Sequence, residues 1–243
     1  PPAVYKPWRL LFSFSYGKIA DQQPITEGRH IVKNPKPGGP SFARMVVALV
    51  LPMALQNLIN VAVTSADVLM LERVGTEVLS GASLAGQVQF IMTLIFFGLT
   101  SGAAVLTAQY WGKGDTRTIE KVMGIALRFS LIVAAVFFLA AEAVPELIMR
   151  LFTGDEAVVG QGAVYLRIVA PSYLFSSVTM VYLNIMRSVE RVVVSMVVFL
   201  ISLLANIALN ALFIFGLFGL PAMGIAGAAL ATACARLIEL VLV

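Results

Sequence analysis

The sequence predicts an all-α polytopic membrane protein of six transmembrane helices. Three observations carry this. Hydrophobic residues make up 59% of the chain and charged residues only 12%, where a soluble domain has about 25% charged residues. The mean hydropathy is +0.92. Apolar runs of about 20 residues or more, the length that crosses a bilayer, recur between short polar links.

Composition also limits function. One cysteine, Cys234, and one histidine, His30, exclude an internal disulfide and the usual Cys/His zinc or nucleophile constellations. There is no GxxxxGK[ST] loop to drive transport with nucleotide, no nucleophile–base pair and no metal cluster, so neither an enzyme nor a bound cofactor is expected. The formal charge of +4 sorts by loop and reads as topology, with no nucleic-acid partner implied.

Residues 1–44 hold Lys or Arg at seven positions, are rich in proline and contain no apolar run long enough to span. Nor do they have the apolar core and cleavage site of a secretory signal. They are expected to form a basic, disordered cytoplasmic tail. Residues 45–243 are expected to form a six-helix lobe, with spans at about 45–71, 79–112, 122–143, 160–186, 193–217 and 222–243.

The first span, MVVALVLPMALQNLINVAVTSADVLML, rises about 40 Å, more than the roughly 30 Å hydrocarbon core. On a helical wheel Gln56, Asn60, Thr64 and Asp67 fall within an arc of about 80°. Lipid cannot hydrogen-bond these groups, so the stripe is expected to face other helices or a water-filled cavity. The plainer alternative is that Asp67 lies close enough to the helix end to reach the headgroups.

In the second span small residues allow close helix approach, and Tyr110 and Trp111 suit an interfacial belt. The third ends before Pro145. The fourth contains Arg167 and Pro171, and the proline is expected to kink it. In the fifth, Ser202, Asn206 and Asn210 are spaced four apart on one face. The sixth, GIAGAALATACARLIELV, has small-xxx-small pairs at Gly224/Ala228 and Gly227/Ala231. Its Arg236 and Glu239 read as a snorkelling pair outside any transport site.

Basic residues concentrate in the tail and in the second and fourth links, so the positive-inside rule puts both ends in the cytoplasm. Asp67, Asn210, Thr232 and Asn206 then lie about 6, 10, 15 and 16 Å below the outer ends of their spans. They share the outer leaflet. Two readings follow. The asparagines hold helices together through their amides, or Asn206, Asn210, Thr232 and Asp67 surround a proton or a monovalent cation such as Na⁺. Oxygen ligands suit a hard cation, and a desolvated carboxylate suits proton exchange.

The segments AVTSADVLMLERVGTEVLSGASLAGQVQFI, TSGAAVLTAQYWGKGDTRTIEKVMG, AVYLRIVAPSYLF and ANIALNALFIFGLFGLPAMGIAGAALATACAR together resemble the multidrug and toxic compound extrusion (MATE) family of the MOP superfamily. The resemblance covers residues 41–243 and leaves the tail outside. It implies one of two six-helix lobes around a central cleft, in a secondary antiporter that expels cationic, amphipathic drugs in exchange for Na⁺ or H⁺. The family's first-helix aspartate falls on Asp67, its fifth-helix polar pair on Asn206 and Asn210, its sixth-helix threonine on Thr232, and a cavity-facing polar residue on Asn60. Some members have an acid where this chain has Asn210, leaving Asp67 as the titrating group of the lobe. Glu72, Glu190 and Ser195 depart from positions where relatives have Gly, Gly and Pro.

These readings imply multidrug efflux across the cytoplasmic (cell inner) membrane, with Asp67, Asn206, Asn210 and Thr232 coupling to the ion and Gln56, Asn60 and Thr64 lining the substrate cavity. The partners are cationic drugs or xenobiotics, the lipid bilayer, and either a missing C-terminal lobe or a second copy as homodimer partner. The alternatives are a lipid-linked oligosaccharide flippase, whose anionic substrate would favour deep basic residues, and a truncated non-transporting membrane polypeptide. The terminal run LIELVLV, with nothing polar after the last span, reads as a cut end.

Overall fold

The computed structural model describes residues 42–217 and 221–243, and several side chains in the first helix, Gln56 and Asn60 among them, lie outside the described set. The chain divides into two units, Pro1–Val46 and Val47–Val243; of the first, only the opening of one helix is described. Residues 1–41, nearly all of the expected tail, lie outside the described residues.

Every described element is a helix: α1 (Phe42–Glu72), α2 (Thr76–Gly112), α3 (Thr116–Ala143), α4 (Pro145–Arg150), α5 (Glu156–Val169), α6 (Pro171–Ser188), α7 (Val192–Phe215) and α8 (Gly224–Leu242). Their ends have local causes. Asp115 caps α3 by accepting from Thr118 N at 3.0 Å and Thr118 Oγ1 at 2.6 Å. These bonds hold its carboxyl below the ordinary carboxylate range. Asp155 caps α5 through Ala157 N at 2.9 Å. Pro145 and Pro171 open α4 and α6 at the first turn, where a missing N–H costs no bond.

Helix α2 packs against α3, α5 and α6, and α8 packs against α5, α6 and α7. Between them lies a core containing Met92, Phe96, Met149, Leu166 and Tyr173, each at most 1% exposed. A smaller cluster of Leu71, Ala82, Ile214, Ile225 and Ala228 joins the end of α1 to α2, α7 and α8. One glycine sets a close approach: a Cβ on Gly227 of α8 would stand 2.6 Å from the carbonyl oxygen of Phe213 in α7.

The opposite faces are apolar and exposed, as at Leu94, Phe97, Ile132, Val136, Leu139 and Leu204. Such faces belong in lipid. Among the described residues four helices, α2, α3, α7 and α8, are long and apolar enough to cross a membrane, and α5 with α6 makes a fifth if the bent pair is one span. The protein is a multi-pass membrane protein. The remaining expected span, about 45–71, falls on the 31-residue α1, whose side chains are only partly described.

Two elements differ from expectation. Residues 160–186 do not form one kinked helix; α5 and α6 meet at Ala170 with a 55° bend. Pro171 has no N–H to offer the Arg167 carbonyl, which ends one helix and starts the next. The acidic link after α3 contains the short helix α4, which begins at Pro145. Its Arg150 pairs with Glu156 at 3.1 Å, an exposed contact that raises the guanidinium's affinity for its proton.

Candidate functional site

The last turns of α1 carry Asp67 to the side of α7. There the Asn210 amide, 1% exposed, donates through Nδ2 to Asp67 Oδ1 at 2.5 Å and to Asn206 Oδ1 at 3.2 Å. Asn206 is itself only 8% exposed. Residues 143 positions apart in sequence thus form one hydrogen-bonded string. Their spacing explains the geometry: Asn206 and Asn210 are one helical turn apart, so a single amide bridges its neighbour and the carboxylate.

Thr232 enters from α8. Its Oγ1 donates to Ala228 O at 3.0 Å. Tyr165 of α5 lies near it, with its hydroxyl close enough to act on Thr232 and to feel the charge of Asp67. Tyr165 was not among the expected site residues, because a tyrosine in an apolar run reads as an aromatic-belt residue. No pattern in α5 distinguishes it. The bend at Ala170, which directs α5 separately from α6, is what brings it here.

The donor set consists of a carboxylate, two amide groups and two hydroxyls, the oxygens a hard monovalent cation takes. One further atom fits such a ligand. Asn210 Oδ1 is buried and has no hydrogen-bond partner. An unpaired buried acceptor of this kind costs about 1–3 kcal/mol. A transition-metal centre has no matching feature, since no group of three or more His, Cys, Asp or Glu occurs among the described residues.

The other expected residues sort differently. Thr64 is exposed and lies on α1 one turn before Asp67; the side chains of Gln56 and Asn60 lie outside the described residues. Ser202 Oγ donates to Ala235 O at 3.2 Å, joining α7 to α8 as helix-to-helix glue. Arg167 pairs with Glu146 at 2.9 Å, with the two side chains 52% and 46% exposed. The Arg236–Glu239 pair, at 2.7 Å, is not a snorkelling pair reaching for solvent: Glu239 is 1% exposed, because the helices packed on α8 cover its face.

The comparisons agree with this architecture. A family model described as MatE matches residues 52–212. A "Probable multidrug resistance protein NorM" of Rhizobium meliloti is 30% identical over 197 residues, 79% of this chain and 41% of the relative. An "Uncharacterized transporter YisQ" of Bacillus subtilis is 27% identical over 210 residues, 85% of this chain and 45% of its own length. Among solved structures, one described as the outward-facing conformation of a multidrug resistance MATE family transporter of the MOP superfamily aligns with a TM-score of 0.74 at 21% identity. That alignment covers 82% of this chain and 43% of the other. A structure of the MATE multidrug transporter DinF-BH aligns at 0.75 with 24% identity, over 81% and 44%. The chain spans less than half the length of the curated relatives it matches.

Proposed function

The chain belongs to the MatE family, and from that premise we propose that it forms one lobe of a secondary antiporter exporting cationic, amphipathic compounds in exchange for Na⁺ or H⁺. The observation that carries the reading is the string Asp67–Asn210–Asn206, which ties α1 to α7 at a half-buried carboxylate and leaves the amide oxygen of its middle residue, Asn210, buried and unpaired. Asp67 exchanges the coupling ion. Asn210 and Asn206 hold its carboxylate and supply neutral oxygens, and Thr232 with Tyr165 closes the site from α8 and α5. Gln56, Asn60 and Thr64 are the residues of α1 proposed to line the substrate cavity.

Coupling follows from differential binding. An ion bound at Asp67 stabilises the arrangement in which α1 and α7 are joined through Asn210, and a cationic substrate stabilises the competing one. The second half of the transport path comes from a further lobe of the same chain or from a second copy, in a cell membrane with the basic links on the cytoplasmic side. Names borne by relatives, multidrug resistance among them, support the substrate class. Lipid-linked oligosaccharide flipping is less well supported, because Arg167, the deep basic residue the sequence offers, is already paired with Glu146.

The test is Asp67→Asn in the protein as its gene encodes it. The variant keeps the shape and loses the charge. Ethidium or fluoroquinolone efflux is expected to fall at least about tenfold with membrane abundance unchanged, as for a site needing about 1.4 kcal/mol or more of ion binding. Wild-type efflux from that variant removes Asp67 from the mechanism.

A further inference from the structure

Arg236 lies one turn beyond Thr232 on α8, close enough for its charge to act on both the Asp67 carboxylate and the Tyr165 hydroxyl. A helical side chain leans towards the N-terminus of its helix, which from position 236 is towards Thr232, about 6 Å away along the axis. Left to that preference, the guanidinium extends into the site. It does not do so here. Its Nη1 is held at 2.7 Å by Glu239 Oε2, three residues in the opposite direction.

Glu239 is an unusual holder. It is 1% exposed, and its second oxygen, Oε1, is buried with no hydrogen-bond partner. Arg236 keeps a third of its side chain exposed. A buried carboxylate with half its hydrogen-bonding capacity unused costs more than a surface ion pair returns. As a fixed anchor for a mobile cation the arrangement makes physical sense: the anchor cannot swing, and the arginine can.

We infer that Glu239 holds the Arg236 guanidinium away from Asp67, and thereby keeps a resident cation from competing with the coupling cation for the Asp67–Asn210 site. Arg236 is always charged. Once free, it pairs with Asp67 intramolecularly, and a bidentate guanidinium–carboxylate contact outlasts that of a small hydrated cation. The tether therefore sets the cation concentration at which the site fills. Arg236 and Glu239 are positioning residues in this account, acting through Asp67, and the inference rests on Asp67 as the exchange group.

The experiment titrates ethidium efflux with NaCl at fixed pH and with pH at fixed NaCl, in the protein as its gene encodes it, reading whichever cation drives the wild type. Glu239→Gln is expected to raise the half-maximal cation concentration at least tenfold, with the maximal rate retained at saturating cation. Adding Arg236→Gln to it is expected to return the value to within twofold of wild type. Should Glu239→Gln fail to reach the membrane, Arg236→Gln alone is read, and a half-maximal concentration at least threefold lower is expected. A Glu239→Gln value within twofold of wild type overturns the inference. So does a double variant as impaired as the single, or weaker cation dependence in Arg236→Gln. If Asp67→Asn keeps cation-driven efflux, the function reading itself falls. If Asp67→Asn loses it and the Glu239 series behaves as wild type, only the tether falls.

Discussion

Replacing Gly227 by alanine is expected to force α7 and α8 apart. The new Cβ would stand 2.6 Å from the Phe213 carbonyl oxygen and 2.7 Å from its carbonyl carbon. A close carbon–oxygen contact is about 3.3 Å, so the helices must separate by roughly 0.7 Å at that point. No rotamer change relieves it, because the obstructing atoms are backbone, and the Phe213 oxygen is also held by Met223 N at 3.0 Å. Overpacking of this kind costs about 1–3 kcal/mol. At roughly 2–4 °C per kcal/mol for a chain of this size, the unfolding midpoint falls by about 2–12 °C. The assay is thermal unfolding in one detergent beside Gly86→Ala, a helical glycine with nothing within 4 Å of its added Cβ. That control is expected to be neutral or to gain about 0.5–1 kcal/mol. If Gly227→Ala melts within about 1 °C of the parent while the control responds as expected, the close-approach reasoning is wrong.

Two other outcomes follow from the links. Glu190 has φ 63°, and Glu190 N→Arg187 O (3.1 Å) with Arg191 N→Met186 O (2.9 Å) forms a Schellman cap that favours glycine. Left-handed backbone costs a non-glycine residue about 1–2 kcal/mol, partly offset by glycine's freer unfolded state, about 0.4–1 kcal/mol, so Glu190→Gly should raise the melting midpoint. No rise would mean that the glutamate is stabilised by a contact outside this cap. Asp115, held below the ordinary carboxylate range by Thr118, stabilises α3 above the unfolded carboxylate value of about 4 and loses that contribution as pH falls through its folded value. The melting difference between the parent and Asp115→Ala should therefore be full at neutral pH and narrow on acidification below that range; a gap independent of pH excludes the charge-assisted cap.

What the sequence revealed, and what it hid, divides along physical lines. Long apolar runs announce helices because lipid satisfies no backbone group, so α2, α3, α7 and α8 each overlap an apolar run read from the sequence, though α3 starts earlier, at Thr116. Proline at 171 announced a disturbance, though not that it would divide the span. Asp67, Asn206 and Asn210 stood out because polar atoms are rare in such helices, and the structure joins the three by hydrogen bonds. Tyr165 was hidden, since its role depends on where α5 points. Glu239 was misread for a related reason: an Arg and a Glu three apart near a helix end look solvated, and only the packing of α5, α6 and α7 around α8 decides that the carboxylate is enclosed. Glu190 was flagged by its departure from related sequences, and the left-handed backbone there gives the departure its cost.

The division at Ala170 has a mechanical meaning. A straight helix is a strut: push one end and the other moves. A 55° elbow with Ala170 fully enclosed is a joint whose two arms share α2 and α8 as neighbours, with α4 packing on α5 and α7 on α6. The span therefore turns inside the lobe rather than crossing it in one line, and Tyr165 lies on the arm before the turn.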